Sequence, residues 1–371
     1  MTQDAHWGEP LWKIDFHPQA LDAPEAAAFV VVGGGFSGLA AAAWLGRMAP
    51  RKKVVLLEAE TIGAGASGRS GGLALAETAA GNLPGLGDVL KGYAEIVAEL
   101  GIDCDLELPG AWEIGRSRGR SDSPISWNDS GTLRVVNEVP GGTINPGKMV
   151  AGLARAAEAA GVILCEHSPV QDVSGRDILV VKARNREVRA GCVLLATNAA
   201  SLELGNLQGT VEPKLTLALA TEPLGNAEIE ALGLSSGKPF YTVDYPYLWG
   251  RRTRSNQLVF GAGLVDSASD GDLAAVNVNE GIAAERLSWL ERRVHELHPV
   301  LRDVKIAHRW GGPILFTDGM KPLFRRRSQS ERVFLLAGYN GHGVALSVYL
   351  GKWAAEAMLG MRSLPDWGAV S

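Results

Sequence analysis

Apolar residues run unbroken from Phe29 to Val32 and then give way to three glycines, the pattern of a buried strand that ends in a tight turn. The next thirteen residues, FSGLAAAAWLGRM, are alanine-rich and stop just before Pro50, so a helix is expected over Phe36–Met48. A second apolar run, KKVVLLEAE, carries the chain past Glu58. Strand, helix and strand with so short a crossover form the unit of a parallel sheet covered by helices.

The same patterning predicts helices over residues 88–100, over 146–161 with Gly161 at its end, and over 279–298 before Pro299. Runs at 162–173, 177–184 and 192–200 are strands able to return to the first sheet, whereas 116–132 is a polar, loop-rich excursion. From Thr210 the rhythm changes. Strand patterns at 211–224, 239–251 and 257–265 are separated by turns without helices, which implies an antiparallel sheet. The chain closes with RVFLLAGYNGHGV, a strand entering a glycine turn, and a helix over 345–359. No internal repeat is present. The order is α/β, then α+β, then α/β again. It predicts a Rossmann-like parallel-sheet domain from 1–84, 140–209 and 300–371, with an inserted α+β substrate domain from 85–139 and 210–299 built on an antiparallel sheet.

Composition narrows the function classes. A chain of 371 residues with net charge −5 lacks the basic excess of a nucleic-acid binder. The arginine clusters at 251–252 and 325–327 are short enough to be solvated surface. Cys104, Cys165 and Cys192 are scattered without ligand spacing, which favours a reducing, cytoplasmic setting. The first eighteen residues, polar and punctuated by proline, have no signal-peptide pattern, and no apolar run is long enough for a membrane span. His295 and His298 in HELHP have the spacing of helix-capping residues, not of a metal site.

Gly33, Gly35 and Gly38 form G-x-G-x-x-G between strand and helix, and Glu58 follows twenty residues beyond the last glycine. Such a turn lets backbone approach a pyrophosphate at a helix N-terminus, while the carboxylate accepts the ribose hydroxyls. A lone triplet would be a plain turn; strand, helix, second strand and glutamate in register point to FAD or NAD. The following stretch GAGASGRSGG, residues 63–72, is small enough to bring backbone close to a ligand.

GAGASGRSGG, TEPL, WGG at 310–312 and GYNGHGVALSVYLGKWAAEAM together resemble the D-amino-acid-oxidase family of FAD-dependent amine oxidoreductases, most like its γ-glutamylputrescine oxidoreductase branch, with glycine and sarcosine oxidases further off. The resemblance covers nearly the whole chain and shifts the choice from NAD to FAD. It implies cofactor contacts from Gly33, Gly35, Phe36, Ser37, Gly38, Glu58 and Ala59, and from Gly65, Ala66, Ser67, Arg69, Ser70, Gly71 and Gly72. It adds Val170 at adenine, the strand end Ala196, Thr197 and Asn198, and the turn Gly338, Asn340, Gly341, His342, Gly343 and Val344 near the flavin pyrimidine. For Arg69, phosphate contact and loop anchoring both stay open.

Alternation in YTVDYPYLWGR puts Tyr245, Tyr247, Trp249 and Arg251 on one face of a regular strand. An aromatic face suits an amine. Tyr247, Trp249 and His342 are the candidates for catalysis, His342 by positioning flavin more than by moving protons. The family's carboxylate-clamping arginine is replaced around Ile314 and Leu315, which disfavours an α-amino acid held by that clamp. No cysteine stands where sarcosine oxidases tether FAD, so non-covalent FAD is expected. The oxygen-promoting lysine is also absent from the expected strand, and the chain is short between Trp112 and Val139, which would leave the substrate site open. The expected activity is oxidation of a C–N bond in an amine or amino-acid-like small molecule, with hydride passing to flavin and dioxygen as acceptor. A dehydrogenase or biosynthetic flavoenzyme using another acceptor, and a flavin-binding subunit without turnover, are the alternatives.

Overall fold

The protein is described from a computed structural model covering residues 4–368, apart from 117–118, 185, 201, 267–272 and 329. Ser117 and Arg118 of the polar excursion, and the first three residues, lie outside that set.

The first sheet runs Leu323–Arg327, Ser330–Ala337, Arg186–Leu195, Ala26–Val32, Val54–Leu57, Ile163–Cys165, and the last five are mutually parallel. A hairpin of Val170–Ser174 and Leu179–Ala183 continues antiparallel from Arg186–Leu195. Both faces are covered, which explains why the strands read as unbroken apolar runs. Val31, Leu56 and Leu194 face the helices Phe36–Met48, Pro146–Ala159 and Gly343–Met358, while Val30, Val32, Val55 and Leu195 face the hairpin side. Alanines at 40–43 are fully buried, and their small side chains let the first helix nest between its neighbours. Asp88 and Asn145 cap the helices that follow them by accepting the backbone N–H groups of Lys91 and Lys148.

The second sheet runs Ile306–Thr317, Val211–Thr221, Leu258–Asp266, Trp249–Arg252, Phe240–Thr242, Ala111–Gly115, Thr132–Val139, Trp127–Asn128. Every neighbouring pair is antiparallel except Phe240–Thr242 with Ala111–Gly115. Ile306–Thr317 therefore pairs in this sheet, although it lies in the third segment assigned to the first domain. A short helix, Asn226–Ala231, interrupts a stretch expected to hold only strands and turns.

The polar excursion contributes core. Trp127 is buried and meets Phe240 edge-on at 4.9 Å between centroids, with Phe260 at 6.3 Å. Truncating one ring of such a cluster costs about 3–5 kcal/mol. Beside it, buried Asp129 accepts hydrogen bonds from both Arg116 and Arg293. Those guanidinium groups also donate to the carbonyls of Pro246 and Tyr247, and Arg116 pairs with Asp244, so two cations and the carboxylates of Asp129 and Asp244 fix the 243–248 turn.

The N-terminal lead is likewise structural. Trp7 and Trp12 are buried, and Trp7 Nε1 donates to the Leu273 carbonyl at 3.0 Å. Gly8 bridges to Trp310. His298 stands at the C-cap of Gly281–Leu297 and caps the next short 3-10 helix by accepting from Val300 N, as expected of a capping residue, whereas His295 sits in the last turn of the helix and reaches the Val304 carbonyl. Among the described residues no group of three or more His, Cys, Asp or Glu is placed to hold a metal, and no helix is long and apolar enough to cross a membrane.

Candidate functional site

The glycine fingerprint is built as the strand–turn–helix spacing demands. Gly33 has φ +109°, and a Cβ there would stand 2.6 Å from the Ala196 carbonyl oxygen, so only glycine fits between the first strand and Arg186–Leu195. Glu58 turns back onto this turn, its Oε2 accepting from Gly34 N at 2.6 Å and its Oε1 from Glu60 N at 3.0 Å. Burial raises its carboxyl above the ordinary range, and those backbone donors oppose the shift. Ala59 lies beside it, and Ser168 N donates to the Glu58 carbonyl at 2.7 Å, which brings the start of Val170–Ser174 alongside.

The small-residue stretch is ordered chain. Ala66–Arg69 is one helical turn after Gly65, and Ser67 Oγ accepts from Phe36 N at 2.8 Å, tying it to the fingerprint helix. Arg69 is buried; its guanidinium donates to the carbonyls of Ala64 at 3.1 Å, Gly8 at 2.9 Å and Gly311 at 3.3 Å. It thus clasps its own loop, the N-terminal lead and the second sheet. Trp12 Nε1 donates to the Ser70 carbonyl at 2.7 Å. Ser70 Oγ is buried without a protein partner in this cradle. Gly72 offers its carbonyl to Arg251, which is buried above the Trp12 ring at 5.1 Å. Arg251 is therefore not surface charge, and burial pulls it down to about 10.

Across the sheet, Asn198 Oδ1 accepts from Gly338 N at 3.0 Å, joining the strand end Ala196–Asn198 to the glycine turn. Buried Asn340 clips that turn to Thr317 through Thr317 N at 2.8 Å. Tyr339 and Ser37 share a 2.5 Å hydrogen bond between hydroxyls, linking the turn to the fingerprint helix. His342 precedes the helix Gly343–Met358, which Val344 opens with Gly343; burial lowers the His342 pKa, opposed by the Asn340 carbonyl and by Glu77. Ile314 Cδ1 lies 3.5 Å from where a Cβ on Gly341 would stand, so an apolar side chain borders this turn.

The substrate side differs from the regular strand expected. The strand starts only at Trp249; residues 243–248 form the turn held by Arg116 and Arg293, leaving Tyr245 90 % and Tyr247 43 % exposed. Trp249 packs against Gly71 and Gly261. Its cross-strand neighbour is Tyr241, which the sequence reading missed although it alternates with buried Phe240. Tyr241 Oη donates to Glu113 Oε1 at 3.0 Å. The three cysteines are buried in the cores, away from Trp249 and Ile314.

These parts form one dinucleotide cradle: an N-terminal helix end, a carboxylate at the second strand, a small-residue loop with an orphaned hydroxyl, and a glycine turn opposite. FAD fits that set. The profile of the DAO family, FAD dependent oxidoreductase, matches residues 28–133 and 133–357. The chain is 29 % identical to the probable oxidoreductase OrdL of Haemophilus influenzae over 93 % of this chain and 86 % of that protein. It is 29 % identical to gamma-glutamylputrescine oxidoreductase of Escherichia coli over 89 % of this chain and 83 % of the relative. In fold it resembles glycine oxidase from Geobacillus kaustophilus, with TM-score 0.71 and 20 % identity over 92 % of this chain and 96 % of that one. The chain belongs to the DAO family of FAD-dependent oxidoreductases.

Proposed function

We propose that this enzyme oxidises the C–N bond of an amine to an imine, with dioxygen as electron acceptor. The observation that carries this reading is Trp249, cross-strand partner of Tyr241, laid against Gly71 while the apolar Ile314 borders the glycine turn. A wall of that kind receives an amine and has nothing there to clamp an α-carboxylate. The E. coli relative, named for γ-glutamylputrescine, supports the same class.

Bound FAD supplies the hydride acceptor: the carbon bearing the neutral amine gives up a hydride, and the iminium left behind is hydrolysed by water. The chain's own work is binding and orientation. Glu58 accepts the ribose hydroxyls, the N–H groups after Gly35 face phosphate, and the dipole of Gly343–Met358 favours negative charge at the flavin end. Trp249 positions the substrate carbon. Tyr247, on the pinned turn, borders the entrance, and His342 stays neutral as a positioning group. Arg69 anchors the loop.

Anaerobic bleaching of the flavin by a panel of amines and amino acids tests the reaction, and peroxide release on admitting air tests the acceptor. A flavin that no amine or amino acid reduces would sink the proposal.

A further inference from the structure

The face of the second sheet next to the cofactor loops carries a carboxylate that the proposed chemistry does not use. Trp112 and Phe240 point into the aromatic core, so their neighbours Glu113 and Tyr241 project to the opposite face. There Glu113, Tyr241 and Trp249 stand in register on three adjacent strands. Glu113 is held from two sides: Oε1 accepts from Tyr241 at 3.0 Å and Oε2 from Asn137 Nδ2 at 3.0 Å. A carboxylate has lone pairs for more donors than these two. Glu113 is half-buried, and the side chain bordering the glycine turn is the apolar Ile314. Glu77, from a separate segment, acts electrostatically on both Tyr241 and His342, adding negative charge to the same space.

We propose that Glu113, oriented by Tyr241 and Asn137, receives the cationic end of a diamine-type substrate whose other, uncharged amine is presented for oxidation. This inference rests on the amine oxidation proposed above and names its substrate class. Adjacent strands lie about 4.8 Å apart, so Glu113 stands roughly 10 Å from the Trp249 backbone, room for an extended chain of several methylenes. An ammonium there gains a charge-assisted hydrogen bond and the π-faces of Tyr241 and Trp249. A terminal methyl leaves the Glu113 charge half-desolvated without a cation to offset it, and a terminal carboxylate meets like charge.

Three probes of equal length separate these cases: 1,5-diaminopentane, pentylamine and 5-aminopentanoate. Rates of anaerobic flavin reduction on the FAD-loaded enzyme are expected to rank diamine first by at least tenfold in kcat/KM, and the amino acid last. Glu113→Gln is expected to shrink the diamine-to-monoamine ratio at least tenfold, chiefly through KM. Tyr241→Phe, which keeps the charge and removes one hydrogen bond, should shrink it less. Flavin content and Tm verify that each variant is folded, and Tyr241→Phe carries the test where Glu113→Gln loses its flavin. Equal rates for diamine and monoamine, preference for the carboxylate-ended chain, or an unchanged ratio in a loaded variant overturns the proposal. Bleaching by α-amino acids alone overturns it while leaving C–N oxidation standing. No bleaching by any amine or amino acid overturns both.

Discussion

The benzo ring of Trp249 fills the space that a side chain on Gly71 would need, so the substrate sheet and the cofactor loop meet without a gap. Gly71 has no positive φ, which makes Gly71→Ala a steric test alone. It is expected to push Trp249 or the loop aside and lower the flavin-to-protein ratio. Adding Trp249→Leu should restore loading, measured by absorbance of the purified double variant.

Glu58→Ala removes the carboxylate proposed to hold the ribose. Two charge-assisted hydrogen bonds, less their cost in water, amount to about 3 kcal/mol, roughly a hundredfold in FAD Kd. Titration of apoprotein with FAD, followed by fluorescence quenching, measures it. An unchanged Kd would rule out the ribose role.

Asp129→Ala leaves Arg116 and Arg293, with side-chain exposures of 8 % and 6 %, charged and without that carboxylate. Removing one partner from so buried a set costs about 3–5 kcal/mol. Urea unfolding should show that loss as a lower midpoint, with Asp129→Asn milder because its amide oxygen still accepts.

His342 titrates below its ordinary value near 6.5, because burial disfavours the imidazolium, and its place at a helix N-terminus acts in the same direction. In the window from about 6.5 down to its folded pKa, the unfolded chain binds more protons than the native one. Stability therefore falls as pH falls through that window. His342→Asn should flatten the acid side of a Tm-against-pH curve; an equally steep curve would show that other groups set it.

How much of this was legible in the sequence depends on distance along the chain. Gly33, Gly38 and Glu58 lie within one βαβ unit, where spacing alone fixes their places. The second sheet's strands were mostly recognisable from alternation, yet Tyr245 and Tyr247 were put on a strand that begins only at Trp249. The cause is remote: Arg116 and Arg293, far off in sequence, hold that turn and displace the expected register. Trp127 was hidden by polar neighbours, and its burial depends on Phe240 and Phe260. For Arg69 the guanidinium finds carbonyls of Gly8 and Gly311, partners that no local pattern announces.

The lead through Trp7, Gly8 and Trp12 also has a consequence for the order of assembly. Its docking partners are the Leu273 carbonyl, the Arg309–Gly311 stretch and Ser70. On the ribosome the lead emerges early, but most of its berth is synthesised only after more than two hundred further residues. The hold of Arg69 on Ala64 and Gly8 and of Trp12 on Ser70 joins residues made close together, whereas the seal on Leu273, Trp310 and Gly311 waits for the second sheet. The cofactor loop is thus tied to the substrate sheet only after that sheet is made.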